Sequence, residues 1–218
     1  TSGTEIKLKL IFIDSLIDIE TINNNIVKPL MLDQREAEIE LSQIKNLDEF
    51  ISNNIISVQN ITKIKHINQS LNEILKGKSL LLIENTNEAL SISTQGWEER
   101  DVSLPNVERA VRGPQDAFME NIKINLGLIR RRIKSKDLKT TSFIKGKHSQ
   151  TKIDVVYLQN IADDNIVKEV KKRIQSIKVG QINGCMQVLE LIEDNPLSLF
   201  NTIYETERPD IVAAGIQE

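Results

Sequence analysis

The sequence predicts a mixed α/β (α+β) protein: two small α/β subdomains of related topology, joined by a linker and a long central helix. Three observations predict it. Strand-like apolar runs alternate with segments of helical periodicity along the whole chain. The stretch from Arg112 to Lys136 carries the strongest helical signal and lies just past the middle. Two short segments, Phe12–Asp18 (FIDSLID) and Tyr157–Asp163 (YLQNIAD), repeat one pattern, in which a buried strand ends and a helix opens. The subdomains are accordingly expected at 1–95 and 138–218, with the linker and helix over 96–137.

In the first half, Ile6–Ile13 reads as a strand, half-buried at its start and fully buried at its end. A helix is expected over about Glu20–Leu32, kinked or shortened by Pro29. Asp48 can cap a short helix carrying Phe50 and Ile51, and Ile55–Ile61 looks strand-like. Lys65–Lys76 reads as a helix ended by Gly77 in the left-handed conformation. Ser79–Glu84 and Ala89–Ser93 form a hairpin around Asn85-Thr86-Asn87. Gln95–Val111, with Trp97 and Pro105, is the polar connector.

In the central stretch, Arg112-Gly113-Pro114 reads as a helix start, since proline at the first helical position leaves no amide unpaired. Asp116 and Glu120 would complement the positive end of the helix dipole, and Arg130, Arg131, Arg132 and Lys134 the negative end. Phe118, Ile122, Leu126, Ile129 and Ile133 would make one apolar stripe.

Beyond it, Lys139–Ile144 and Lys152–Leu158 are strands around the turn Gly146–Ser149. Asp163 or Asp164 caps a helix carrying Ile166, Val170 and Ile174. Val179–Ile182 is read as a short strand, Gln187–Glu193 as a short helix, and Pro209 as the start of a last helix. Matching that last helix to Ser70–Gly77 leaves the second half without its final hairpin.

Composition restricts function. A net charge of −3 gives no global field for nucleic acid. The single cysteine, Cys185, cannot form an internal disulfide and reads as a buried or half-buried structural residue rather than a nucleophile. His66 and His148 lack ligand spacing and read as surface residues. Dinucleotide, P-loop, zinc-protease and hydrolase-elbow motifs are absent, and no cofactor or metal is expected. The adjacent acids Glu193-Asp194 read as a solvated helix end. No signal peptide is visible, and the longest apolar run, Leu80–Ile83, is too short to span a bilayer, so a soluble piece is expected. The basic run Arg130–Lys147 reads first as a cation-complemented helix end and solvated hairpin, then as a membrane or partner surface, and last as a nucleic-acid contact.

Arg112–Glu120 (RGPQDAFME) and Arg130-Arg131-Arg132 carry a resemblance. So do Gly96–Arg100, Tyr157, Ile161-Ala162, Glu169-Val170 with Arg173, Glu190–Pro196 and Thr206–Asp210. Taken in order, these stretches resemble the N-terminal soluble domain of the A subunit of spore germinant receptors, the GerA family. The resemblance implies a non-enzymatic domain of a receptor in the spore inner membrane. It implies B and C subunits as partners, membrane segments following this domain, and a small nutrient, amino acid or sugar, as the signal. Homo-oligomers are compatible with it; nucleic acid is not expected.

The residues singled out as ligand or inter-subdomain candidates are Arg112, Gly113, Pro114, Glu120, Arg130, Arg131, Glu207 and Arg208. Arg112 and Glu207-Arg208 are charged groups at turns beside prolines, where charge-assisted hydrogen bonds often tie turns together. Two halves joined by a linker can close around a ligand, which makes their cleft the first place to look. The alternatives are a pure assembly scaffold and an enzyme whose site is assembled from distant residues such as Glu120, Arg131 and Asp194.

Overall fold

A computed structural model of the chain describes residues 6–31, 46–58, 60–96, 114, 116–194 and 202–218. It is a mixed helix-and-strand protein with small antiparallel sheets, divided into two compact units, Thr1–Arg100 and Asp101–Glu218.

The first unit is built on a four-stranded antiparallel sheet of strands β1 (Leu8–Ile11), β2 (Ile61–Ile64), β3 (Ser79–Ile83) and β4 (Ala89–Ile92) in the order β1-β3-β4-β2. The hairpin pairs Leu81 with Leu90 at its centre, and both side chains are buried with Ile92, Ile26 and Ile51. Full burial of such an aliphatic side chain contributes roughly 1.5–3 kcal/mol. At the end of the hairpin the buried hydroxyls of Ser79 and Thr94 hydrogen-bond at 2.6 Å, which satisfies two polar groups with no access to water.

Several expectations shift here for physical reasons. β1 lies at the sheet edge, so Ile11 and Phe12 are exposed rather than buried. Helix α1 (Ile19–Ile22) opens at Asp18, whose carboxylate accepts from the amides of Glu20 and Thr21. A wider π-helical turn follows over Asn23–Val27, and helical geometry resumes at 28–31. Pro29 causes the change in pitch. It has no amide to offer the Asn25 carbonyl one turn back, and that carbonyl accepts from the Ser57 amide at 3.2 Å instead. Residues 51–55 are helical, continuing α2 (Leu47–Phe50), and the strand expected there begins only at Ile61. Leu47, Ile51 and Ile55 recur every fourth residue, and that helical spacing prevails over the strand preference of isoleucine. Asp48 is not the cap; Asn46 holds that position, and Asp48 pairs with Lys63.

Helix α3 (Ile67–Leu75) ends as the sequence predicts. Gly77 adopts φ +87°, and the Lys78 amide reaches back to the Glu73 carbonyl. A side chain at Gly77 would also press on the Leu16 carbonyl, 2.8 Å from an added Cβ. The chain then returns past Asp18. The Asp18 amide donates to the Thr94 carbonyl, Ile17 bridges to Gln95, and Gly96 crosses directly over Asp18. Trp97 and the rest of the expected connector, through Arg112 and Gly113, lie outside the described residues.

The second unit holds the central stretch, but the helix is shorter than its sequence suggests. Helix α4 spans Ile122–Arg132, with Asn121 as its cap accepting from the Lys123 amide. Pro114 is exposed and precedes the helix by eight positions, so it does not start it. Residues 116–120 are non-helical, with Ala117 buried and Phe118 packed into the core, and a continuous helix would turn these two off that surface. The burial of α4 is also wider than one stripe, because Gly127 and Leu128 are buried beside Ile129.

A hairpin of β5 (Leu138–Lys145) and β6 (Thr151–Leu158) follows, in the register Leu138–Leu158 to Lys145–Thr151. Among the described residues three helices follow: α5 (Asp164–Ser176), α6 (Cys185–Ile192) and α7 (Pro209–Gln217), the last with proline in its first turn. Residues 179–182 form no strand; their carbonyls at Val179 and Gly180 accept the amides of Lys147 and His148 in the hairpin turn. The core joins Ile129, Ile133, Leu138, Leu158 and Ala213, with Phe118 against them. Asp163 caps α5 through the Asn165 amide, so the matched aspartates of the two repeated segments, Asp18 and Asp163, perform one task.

Candidate functional site

Two constellations of charged side chains in the second unit tie separate elements together. The first fastens residues 116–120 to α4. The Arg132 guanidinium binds both carboxylate oxygens of Asp116, with Nη2 at 2.7 Å from Oδ1. Its Nη1 donates to the Leu128 carbonyl, which orients the fork. The Phe118 amide donates to the Glu207 carbonyl at 2.8 Å. Asn125 holds the main chain of Met119 with its side-chain amide. Sequence stretches RGPQDAFME and TERPD, which carried part of the resemblance, therefore meet through main-chain atoms at Phe118 and Glu207.

The singled-out residues are distributed as follows. Arg112 and Gly113 lie outside the described residues; Pro114 and Glu120 are exposed. Arg130 is half-buried and donates to the Thr140 hydroxyl at 3.2 Å, and burial lowers its pKa. Arg131 is half-buried on the same helix. Glu207 is exposed and contributes its carbonyl to Phe118. Arg208 grips Asp210 in the first turn of α7 through Nε and Nη2, which holds the Asp210 carboxyl below its ordinary range. Much of the basic run is likewise engaged at home: besides Arg130 and Arg132, Lys145 donates to the Gln175 carbonyl at the end of α5.

The second constellation centres on Arg173, which the residue-by-residue reading did not select. Its Nε donates to Glu169 at 2.9 Å, its Nη1 to the Ile192 carbonyl at 2.7 Å, and its Nη2 to Asp194. One guanidinium, in the last turn of α5, thus joins that helix to the C-terminal end of α6. Glu193 in turn accepts the amide and the hydroxyl of Thr202, at 3.1 and 2.8 Å. These bonds hold the carboxyls of Glu169 (through Arg173 first) and Glu193 (through the Thr202 hydroxyl first) below their ordinary range. The signal was available: Glu169 and Arg173 stand four apart on a helix, and Glu193-Asp194 form an acid pair at a helix end. The pair is not simply solvated.

Between α5 and α6 these residues border a groove of about 450 Å³ that is partly open among the described residues. Ile166, Val170, Ile192 and Ile203 form its apolar lining. Cys185, at the start of α6, is exposed rather than buried; its thiol donates to Glu205 at 2.8 Å. That bond, with partial burial, pushes the thiol pKa up and keeps it protonated, a poor state for a nucleophile. Among the described residues no helix is long and apolar enough to cross a membrane.

Comparison with known proteins agrees with the sequence resemblance. The family model described as Bacillus/Clostridium GerA spore germination protein matches residues 2–218. The chain is 32% identical over 98% of its length to spore germination protein KA of Bacillus subtilis (strain 168) and 34% identical over 99% to spore germination protein GerLA of Bacillus cereus. It spans 38% and 42% of the length of those two relatives. Among solved structures it resembles the N-terminal domain of the A subunit of the Bacillus megaterium spore germinant receptor GerK3. That likeness has a TM-score of 0.67 and 30% identity, over 97% of this chain and 75% of that one. A family match over essentially the whole chain, with relatives of this identity, makes the chain a member of the GerA family of spore germination proteins.

Proposed function

We propose that this chain is the N-terminal domain of a germinant receptor A subunit and acts in spore germination as a non-enzymatic module of that receptor. The observation that carries the reading is the likeness, over 97% of the chain, to an N-terminal domain of such a subunit. On this reading its partners are the receptor B and C subunits, its attachment to the spore inner membrane runs through segments following the domain, and its signal is a small nutrient. The domain either senses that nutrient or positions the subunits that do. The internal bonding around Arg132 and Arg173 supports a stiff module that transmits or holds position. Of the singled-out residues, Glu207 and Arg208 stand just before α7, where the Glu207 carbonyl accepts from the Phe118 amide and Arg208 binds Asp210.

The test is genetic and spectroscopic together. Deleting residues 6–218 in frame from the parent receptor gene should abolish germination with the cognate nutrient, while spores keep their response to an unrelated germinant. Normal germination would overturn the reading. Titrating the labelled chain with nutrients that germinate the parent spore then separates the two roles: localised chemical-shift changes support sensing, and their absence up to millimolar nutrient supports assembly. Arg112→Ala is expected to lower receptor level and germination together.

A further inference from the structure

The groove between α5 and α6 offers a ligand acceptors but few donors. Three carboxylates, Glu169, Glu193 and Asp194, border it, against the single guanidinium of Arg173. That guanidinium already donates to Glu169, Asp194 and the Ile192 carbonyl from all three of its nitrogens. Glu193 meets Thr202 through one oxygen, Oε1, in both of its bonds. The helix ends reinforce this polarity. The positive end of α5 is occupied by the Asp163 carboxylate, whereas α6 ends at the groove with its negative C-terminal pole. Among the described lining residues carboxylates outnumber cations three to one, so the carboxylate of a zwitterion meets like charge.

The lining is aliphatic, and Ile166 stands 65% exposed at its edge. Small-molecule sites enclose most of their ligand. As formed by the described residues, the groove is partly open and suits the face of a segment laid between two helices. We propose that this groove docks a basic aliphatic segment of a protein partner, in which branched apolar side chains are flanked by lysine or arginine. The apolar side chains lie on Ile166, Val170, Ile192 and Ile203, and the cations meet Glu193 and Asp194, since Glu169 is already paired with Arg173 and Lys172. The inference goes beyond the receptor-domain reading and stands or falls independently of it.

The probe is the peptide acetyl-Lys-Ile-Leu-Lys-Ile-Leu-Lys-amide, titrated into the labelled 218-residue chain, with the same peptide carrying Glu for Lys as its control. Amide shifts are expected at Ile166, Val170, Ile192 and Thr202 with the lysine peptide and not with the glutamate peptide. Glu193→Gln, which keeps an acceptor for Thr202, should weaken binding about tenfold. Ile166→Lys, on an exposed position, should abolish it while the rest of the spectrum stays native. Equal binding of the glutamate peptide, shifts mapping elsewhere, or no shifts at millimolar lysine peptide would each overturn the proposal. So would 3-methylbutylamine binding as tightly as the peptide, which would make the site one for a small cation.

Discussion

Asn125 satisfies both main-chain polar groups of Met119: its Oδ1 accepts from the Met119 amide at 2.8 Å, and its Nδ2 donates to the Met119 carbonyl at 2.6 Å. A single side chain in the first turn of α4 therefore imitates a strand partner for the segment before it. Only an amide can do this at one residue, because it offers a donor and an acceptor side by side. Asn125→Ala removes both bonds. Asn125→Asp removes the donor and turns a carboxylate toward a carbonyl. Each should cost about 1–3 kcal/mol in urea unfolding. An unchanged midpoint for both would mean that the segment is held by its apolar contacts alone.

Asp116 and Arg132 fasten the same segment from its other end, with both side chains mostly out of water. A double-mutant cycle with Asp116→Asn and Arg132→Gln should return a coupling of about 0.5–3 kcal/mol. Coupling near zero would mean that the pair forms without adding stability, as many surface pairs do.

Gly96 has no room for a side chain: an added Cβ would lie 2.0 Å from the Asp18 Cβ. Gly96→Ala should destabilise the first unit by about 1–3 kcal/mol and shift the amides of Glu20 and Thr21, which Asp18 caps. Native amide positions for those two residues would show that the crossing can move aside.

Acid should loosen the fold through the carboxylates that serve as caps and pairs. The pKa of Asp18 is lowered chiefly by its bond to the Thr21 hydroxyl, that of Glu73 by Lys76 and then Lys78, and that of Asp210 by Arg208. A carboxyl whose folded pKa lies below its unfolded value stabilises the fold fully above the unfolded pKa. That contribution is lost as pH falls through the folded one. Stability should therefore be level above about pH 5 and decline below about pH 4. Asp18→Asn, which retains a capping oxygen, should flatten part of the decline in a pH series of thermal midpoints.

The hairpins, the Gly77 helix stop, the Asp163 cap and the proline start of α7 were legible because each rests on neighbours in sequence. The central helix was misjudged for the opposite reason. Pro114, Asp116 and Phe118 fit the local pattern of a helix start, yet the burial of Ala117 and Phe118 and the grips of Asn125, Arg132 and Glu207 keep that segment non-helical. None of those contacts is visible in a helical periodicity. The groove was half legible: the spacing of Glu169 and Arg173 announced a pair, but the chain order does not tell that Asp194, 21 residues on, completes it.

Pro29 ends up as more than an interruption. The carbonyl that its missing amide leaves free at Asn25 is read by Ser57, from a different part of the chain. Ser57 is thereby turned into a remote gauge of the first helix. Its amide can be protected from solvent exchange only while residues 19–31 keep their wound form, so its exchange rate follows the opening of that helix rather than of its own surroundings.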